Sequence, residues 1–517
     1  MKLFSLFFVF LAFGSLLFTG VPSETAQSTI PLNGLITTDS TWSKANSPYI
    51  LTGPVAVNQG VTLTIEPGVE VNLGEFYLQV NGTLRAVGSD TEKIQFDGHT
   101  VGFFNSTRHG YIIFSESSTS FNTSSGSGCI MENVVLTGDL MINGASPKFN
   151  KDSLGEININ IAGPISGGSP IISNSTITGG MGITDASPII TSCNISGSSG
   201  YFGIGRSQER NYNVIVIKGY SSPVIANNKI AETERGAILF SNDGRYSYFD
   251  AVVFGNSISS SDMTGITAVG GPGTIIISNN DIYGFASEGG YFSIARGISI
   301  LEGEASQGQS SVNIERNLIR NLGVGVKLDS DATIQHNTVR NCITAIQASS
   351  ESTVTYNNFE GYLHSVNLTS SSNLNAPNNW WGTNDQIAIS STITDNKKDF
   401  NLGTVTFVPL LTEQDPQALP DSDAPVPTLA PTQLPTSPTP NPTENPTSSQ
   451  NSTSTPTQPG HQNPFSLDWF QTAIIALLAG IFVLLIILIF VLHKKSKVDR
   501  NCYSMQVRSC HLKRVTC

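Results

Sequence analysis

Four consecutive stretches decide how this chain is read: SVNIERNLIRNLGVGVKLDS (residues 311–330), DATIQHNTVRNCITAIQASS (331–350), ESTVTYNNFEGYLHSVNLTS (351–370) and SNLNAPNNWWGT (372–383). One pattern returns in each. Taking the Asn two places before an apolar residue gives Asn317, Asn337, Asn357 and Asn378, at intervals of 20, 20 and 21 residues. Eight residues after the first three stand Gly325, Ala345 and Ser365, each small and each followed by an apolar side chain. A period near 20 with short β-branched runs and polar corners describes a solenoid in which each coil lies on the next. The predicted fold is all-β: a single-stranded parallel β-helix of roughly a dozen coils, about 60 Å long at the ordinary strand spacing of about 4.8 Å.

In such a tube, equivalent positions stack in rows. The apolar rows Ile314/Ile334, Ile319/Val339/Phe359, Val326/Ile346/Val366 and Leu328/Ala348/Leu368 are expected to fill the core. Asn at a corner tolerates unusual backbone angles and passes amide hydrogen bonds from coil to coil, which keeps a buried polar row satisfied. Working back toward the N-terminus, Asn280, Asn256, Asn228, Cys193, Ser175, Asp152 and Asn133 are assigned to the same row.

The pattern resembles the right-handed parallel β-helix repeat of pectate-lyase-like proteins and of archaeal and bacterial surface proteins. LTIEPGVEVNLGEFYLQVNGTLRAVGSDTEKIQFDG (63–98) is similar to their opening coils, and NNWWGT (378–383) with ITDNKKDFNLGTVTFVPLL (393–411) to their closing coil. The resemblance implies a fold and a surface location. It implies no single activity.

The flanks divide the chain further. Residues 1–23 have Lys2 followed by an apolar run to Phe18, the make-up of a secretory signal peptide. Residues 24–411 form the predicted β-helix ectodomain, with Trp42 and Tyr49 placed to cap its open first edge. Of the 26 prolines, 13 lie between Pro416 and Pro464, so 412–467 reads as a semi-rigid Pro/Thr/Ser stalk. Within 468–492, the 20 residues from Ala473 to Leu492 carry no charge, enough for one membrane span. The basic tail 493–517 then places itself in the cytoplasm and the ectodomain outside. That tail carries +6 against −18 for the rest, making the total −12. An acidic ectodomain is a poor general partner for nucleic acid.

Three external cysteines, Cys129, Cys193 and Cys342, do not form a disulfide framework and are expected as buried thiols. No spacing in the chain suggests a metal site. Sequons stand at Asn81, Asn105, Asn122, Asn174, Asn194, Asn367 and Asn451.

Departures from the 20-residue interval mark insertions, and insertions on a solenoid usually carry function. Around the Gly-led strands at Gly182, Gly236, Gly265, Gly297 and Gly325, loops are expected to wall a groove. They concentrate aromatic and ionic side chains: Arg206, Glu209, Arg210 and Tyr212, then Asp243, Arg245, Tyr246, Tyr248 and Asp250, then Tyr291 and Arg296. Aromatic faces beside Arg and carboxylates suit sugar rings. The floor of the groove is expected to present Thr184, Thr267, Ser299, Lys327, Gln347 and Asn367. That floor lacks the two facing carboxylates a glycosidase needs, and the paired-Asp and Gly-His-Asp signature of polygalacturonase-like enzymes is absent. The expected function is therefore a binding, adhesion or display module touching polysaccharide or a cell-envelope protein. A surface polysaccharide lyase or glycoside hydrolase and a purely structural surface-layer rod are the alternatives. No cofactor is implied, except calcium for a lyase.

Overall fold

The computed structural model describes residues 30–98, 110–155, 157–160, 168–197, 213–233, 236–241, 247–260, 264–269, 272–284, 295–302 and 311–429. Over these residues the chain winds as a parallel β-helix. Each regular coil supplies three strands, well shown by the coil at residues 311–328. Ser311–Glu315 is a back strand, Leu318–Arg320 a corner strand and Val324–Leu328 a floor strand. Back strands stack into a parallel sheet of 15, more coils than the dozen expected, and corner and floor strands run together in a sheet of 27. The expected signal peptide at residues 1–23, the sequence from Ala430 onward and most of the inserted residues lie outside the described residues. Among the described residues no helix is long and apolar enough to cross a membrane.

Register confirms the rows read from the sequence. Ile314 pairs with Ile334, Ile319 with Val339 and then Phe359, Val326 with Ile346 and then Val366, and Leu328 with Ala348 and then Leu368. All are buried. Because strand side chains alternate, each strand sends every second residue inward, and each coil seals the apolar face of the one before it. Trp42 and Tyr49 stack at 5.0 Å inside the first coils, with Ile30–Ile36 lying outside Tyr49–Val57. They are core residues of the opening coils, not a lid over them.

The corner between back and corner strands holds two rows. The first consists of residues with positive φ: Asn133, Lys151, Asn174, Ser192, Asn227, Asn279, Arg316, His336, Tyr356 and Asn378, all between 51° and 58°. Asn enters left-handed backbone more readily than other side chains do, so Lys151, Ser192, Arg316 and Tyr356 are held there against their preference, and Gly255 takes the turn in the coil between Asn227 and Asn279. The second row is the ladder. The backbone N–H and Nδ2–H of Asn317 both donate to Oδ1 of Asn337, each at 2.9 Å, and Asn337 repeats this onto Asn357. Asn228, Asn256 and Asn280 extend it upward.

Two assignments shift by one residue. Asn357 donates to Asn379, not Asn378; Asn378 belongs to the positive-φ row. The apolar residue that sets the count is Trp381, buried and stacked on Phe359 at 4.6 Å, and Trp380 is not. Asn133 likewise sits in the positive-φ row, and Val134 takes the ladder place, donating its N–H to Asp152 Oδ1 at 2.9 Å. Cys129, Cys193 and Cys342 are buried and free.

The tube closes with a short helix, Gln386–Thr392, whose first N–H groups are capped by the Asp385 carboxylate. Ile393–Thr394 then pairs with the last floor strand, His364–Leu368. Packed structure continues past the expected end at residue 411. The chain turns back and climbs the flank as a strap. Backbone N–H and C=O of Asp415 bond the Asn358 side chain at 2.8 and 3.0 Å, and the Asp415 carboxylate meets His336 Nδ1 at 2.6 Å. Higher up, Thr338 Oγ1 donates to the carbonyl of Ala418 at 2.6 Å, and Asp421 N–H donates to Asn279 Oδ1 at 3.1 Å. Ala424 and Leu429 pack on Ala226, Val252 and Phe254. Proline does not prevent this, because the strap uses side-chain partners and needs no strand ladder of its own.

Candidate functional site

The floor strands carry the candidate site. Their outward row runs, in register, through Gly182, Val216, Leu239, Thr267, Ser299, Lys327, Gln347, Asn367 and Thr394. Five of the six expected floor residues are therefore vertical neighbours. Thr184 is not one of them: it aligns with Lys218, two positions further along the strand. In the coils of Gly265, Gly297 and Gly325 the glycine precedes the core residue. In the strand Met181–Thr184 the core residue is Met181, so Gly182 itself takes the outward place.

The row changes character along the tube. Its upper part is small or apolar at Gly182, Val216 and Leu239; its lower part is hydroxyl, amide and ammonium from Thr267 to Thr394. Lys327 Nζ is ion-paired with the carboxylate of Asp329, which directly follows the strand's last residue. Ser299, in the floor row between Thr267 and Lys327, is only 2% exposed, and its Oγ has no hydrogen-bond partner among the described residues.

The insertions fall on both flanks of these strands. Asn194–Ile195 is a corner strand and Asn213–Lys218 a floor strand, so residues 196–212 enter before the floor, as do 285–294. Residues 242–246 and 303–310 leave after it. Of the candidate ligand residues, Arg206, Glu209, Arg210, Tyr212, Asp243, Arg245, Tyr246 and Tyr291 lie outside the described residues. The other three do not form one cluster. Tyr248 and Asp250 stand beyond the C-terminal end of the floor strand Gly236–Phe240, and Arg296 opens the floor strand Arg296–Leu301.

Tyr248 and Asp250 have structural work. Tyr248 is buried and donates its hydroxyl to Asp250 Oδ2 at 2.9 Å, while Asp250 Oδ1 accepts the Thr274 N–H at 2.9 Å. Tyr248 pairs in register with Tyr220, and their rings stack 6.5 Å apart at 17°. Tyr220, 45% exposed, is a rim aromatic that the loop reading passed over, because it follows the floor strand directly without an insertion. On the neighbouring corner strands Arg320 grips Asp281 with two bonds of 3.0 and 2.8 Å and lies 4.6 Å over the ring of Tyr283. This cluster also went unread in the sequence, since its members are 39 residues apart.

Among the sequons, Asn122, Asn174 and Asn194 are exposed and Asn81 and Asn367 partly so; Asn105 and Asn451 lie outside the described residues. The Asn174 amide donates to Asn150 Oδ1 at 2.9 Å, and Asn81 Oδ1 accepts from Gln79 and Ser115. Asn367 stands on the floor itself. Among the described residues no group of His, Cys, Asp or Glu is arranged to hold a metal ion.

The chain matches no protein-family model and no curated protein. Among solved structures it is similar to a mutant of the periplasmic alginate epimerase AlgG, with a TM-score of 0.36 and 10% identity over 73% of this chain and 84% of that one. It is also similar to the Dettilon tailspike protein, with a TM-score of 0.21 and 14% identity over 74% and 62%. Both likenesses are distant.

Proposed function

We propose that this chain is a membrane-anchored extracellular β-helix that binds or displays without catalysing, its floor contacting polysaccharide or a neighbouring cell-envelope protein. The observation that carries the reading is the lower floor row. Thr267, Ser299, Lys327, Gln347, Asn367 and Thr394 stack in register at strand spacing. Apart from the buried Ser299, that row offers hydroxyl and amide groups, which both donate and accept, beside one ammonium. A sugar polymer, with hydroxyl edges repeating along its length, complements such a row. The apolar leader, the Pro/Thr stalk and the uncharged 20-residue run from Ala473 support export and anchoring.

The test is a glycan array probed with the purified ectodomain and with a Lys327→Ala/Gln347→Ala variant. Binding that falls at least about tenfold in the variant supports the reading, a loss equivalent to about 1.4 kcal/mol. Binding that survives both substitutions removes it from the floor. Incubation with uronate polymers, with and without calcium, gives the enzymatic alternative its chance: new unsaturated ends would replace binding by lyase action.

A further inference from the structure

The strap sets where the chain leaves the rod. A tether beginning at residue 412 would start beside the closing coil. Instead the strap passes, in order, Asn358, Thr338 with His336, and Asn279, and it ends with Ala424 and Leu429 against Ala226, Val252 and Phe254. Those last contacts lie on Val224–Ala226 and Ala251–Phe254, the eighth and ninth of the 15 back strands. From the closing coil at Asn379 to the coil of Asn228 the ladder takes six steps, which is about 29 Å of tube.

We propose that residues 413–429 are a mooring that carries the point of attachment from the end of the rod to the middle of its flank. Every contact named falls on a corner strand, a back strand or the corner between them. The floor strands take no part. Whatever follows Leu429 therefore starts on a side of the tube that leaves the floor row uncovered, and a pull on the chain from that end loads the middle of the rod first.

The character of the contacts suits a mooring. They are spread along the strap and differ in kind: a reciprocal backbone-to-amide pair at Asp415, a carboxylate on an imidazole, a hydroxyl on a carbonyl, and an apolar foot at Leu429. Ala418, within the strap, is itself fully buried. No single loss frees the whole strap, yet each contact yields alone, since none belongs to a strand ladder.

The test measures distances in the full chain held in detergent, with no glycan or bilayer, so its failure is separate from failure of the binding and anchoring reading. The tail thiols are removed as Cys502→Ser, Cys510→Ser and Cys517→Ser; Cys129, Cys193 and Cys342 are buried. A spin label at Thr432→Cys is paired either with Lys229→Cys, at mid-rod, or with Phe400→Cys, an exposed site in the closing segment. The mooring predicts the shorter distance to position 229. A strap-release variant, Asp415→Ala/Thr338→Val/Leu429→Asp, should reverse that order. It should also raise hydrogen exchange at residues 415–424 at least tenfold while the amides of Ile334 and Val339 keep their protection. A label nearer to position 400 in the unreleased chain, or distances that ignore the release, would overturn the proposal.

Discussion

The ladder from Asn228 to Asn379 and its continuation through Cys193, Ser175 and Asp152 occupy the same corner and do the same job with different chemistry. In the lower region every member is Asn, which offers an acceptor to the N–H of the coil above and two hydrogens to its neighbours. The chain of bonds is therefore complete and uncharged. In the upper region the members supply only parts of this. Cys193 donates its thiol to the carbonyls of Ile172 and Thr191, Ser175 accepts the Asp152 N–H and donates to Ser173, and Asp152 accepts two backbone N–H groups. The comparison teaches that the corner needs an acceptor for the N–H above more strictly than it needs an amide. It also teaches that an incomplete substitute leaves a local weakness.

Breaking the complete ladder should have the largest effect. Asn337→Ala takes the acceptor from the Asn317 N–H and the amide donor from the carbonyls of Ile314 and Gln335, all at a corner closed to water, while Asn317 Nδ2 keeps the carbonyls of Ile277 and Glu315. With each buried unsatisfied group costing about 1–3 kcal/mol, the coil should lose at least about 3 kcal/mol. Urea unfolding of residues 24–429 checks this, alongside Ser175→Ala, which should cost about half as much or less.

The next effect concerns charge in the incomplete region. Burial pushes the Asp152 carboxyl up to about 8, its desolvation outweighing the two N–H bonds it accepts. In the unfolded chain the same group titrates near 4. Between these values the unfolded state holds fewer protons than the folded one, so stability falls as pH rises through that window. Asp152→Asn removes this slope. The melting temperature of the variant relative to the parent should rise steadily from pH 4 to pH 8, and a flat difference would show that Asp152 is solvated. No such pH term is expected from the neutral ladder below it.

The lower region was the legible one because its period repeats three times without an insertion, so register follows from counting. Errors arose where counting had two answers. Trp380 and Trp381 are both apolar, and only packing on Phe359 shows that Trp381 sets the frame. At Gly182 a glycine stands two places away from where Gly265, Gly297 and Gly325 stand, and the sequence around it looks the same. The strap was illegible for another reason. Its binding depends on a surface assembled from Asn358, Thr338, His336 and Asn279, which no local pattern in a Pro-rich segment announces. The candidate ligand residues were chosen for their loops, and loops have no register to count.

Glycine in the row beside the floor tests whether close packing, as well as the ladder, separates the regions. A Cβ on Gly297 would come within 2.5 Å of Ile319 Cγ2 and 2.6 Å of the Gly325 carbonyl. Yet the same row carries Ala345 and Ser365 two and three coils lower, both fully buried. Gly297→Ala should destabilise by about 1–3 kcal/mol through overpacking. Pairing it with Ile319→Ala, which removes the Cγ2 that the new Cβ meets, should cost less than the sum of the two single changes.

The smallest effect should come from the surface, where the two regions ought not to differ. Arg320 holds Asp281 bidentately, but both side chains remain about a quarter to a third exposed, so solvent screens the pair. Exposed ion pairs are worth about 0.2–1 kcal/mol, and the bidentate geometry with the Tyr283 ring beneath places this one toward the upper end. A double-mutant cycle of Arg320→Ala and Asp281→Ala should therefore return a coupling below about 1 kcal/mol that shrinks in high salt. Repeating the cycle with Tyr283→Leu separates the ring from the carboxylate, because only the carboxylate contribution should respond strongly to salt. A coupling well above that range and insensitive to salt would mean that the cluster is shielded from water and belongs with the buried ladder.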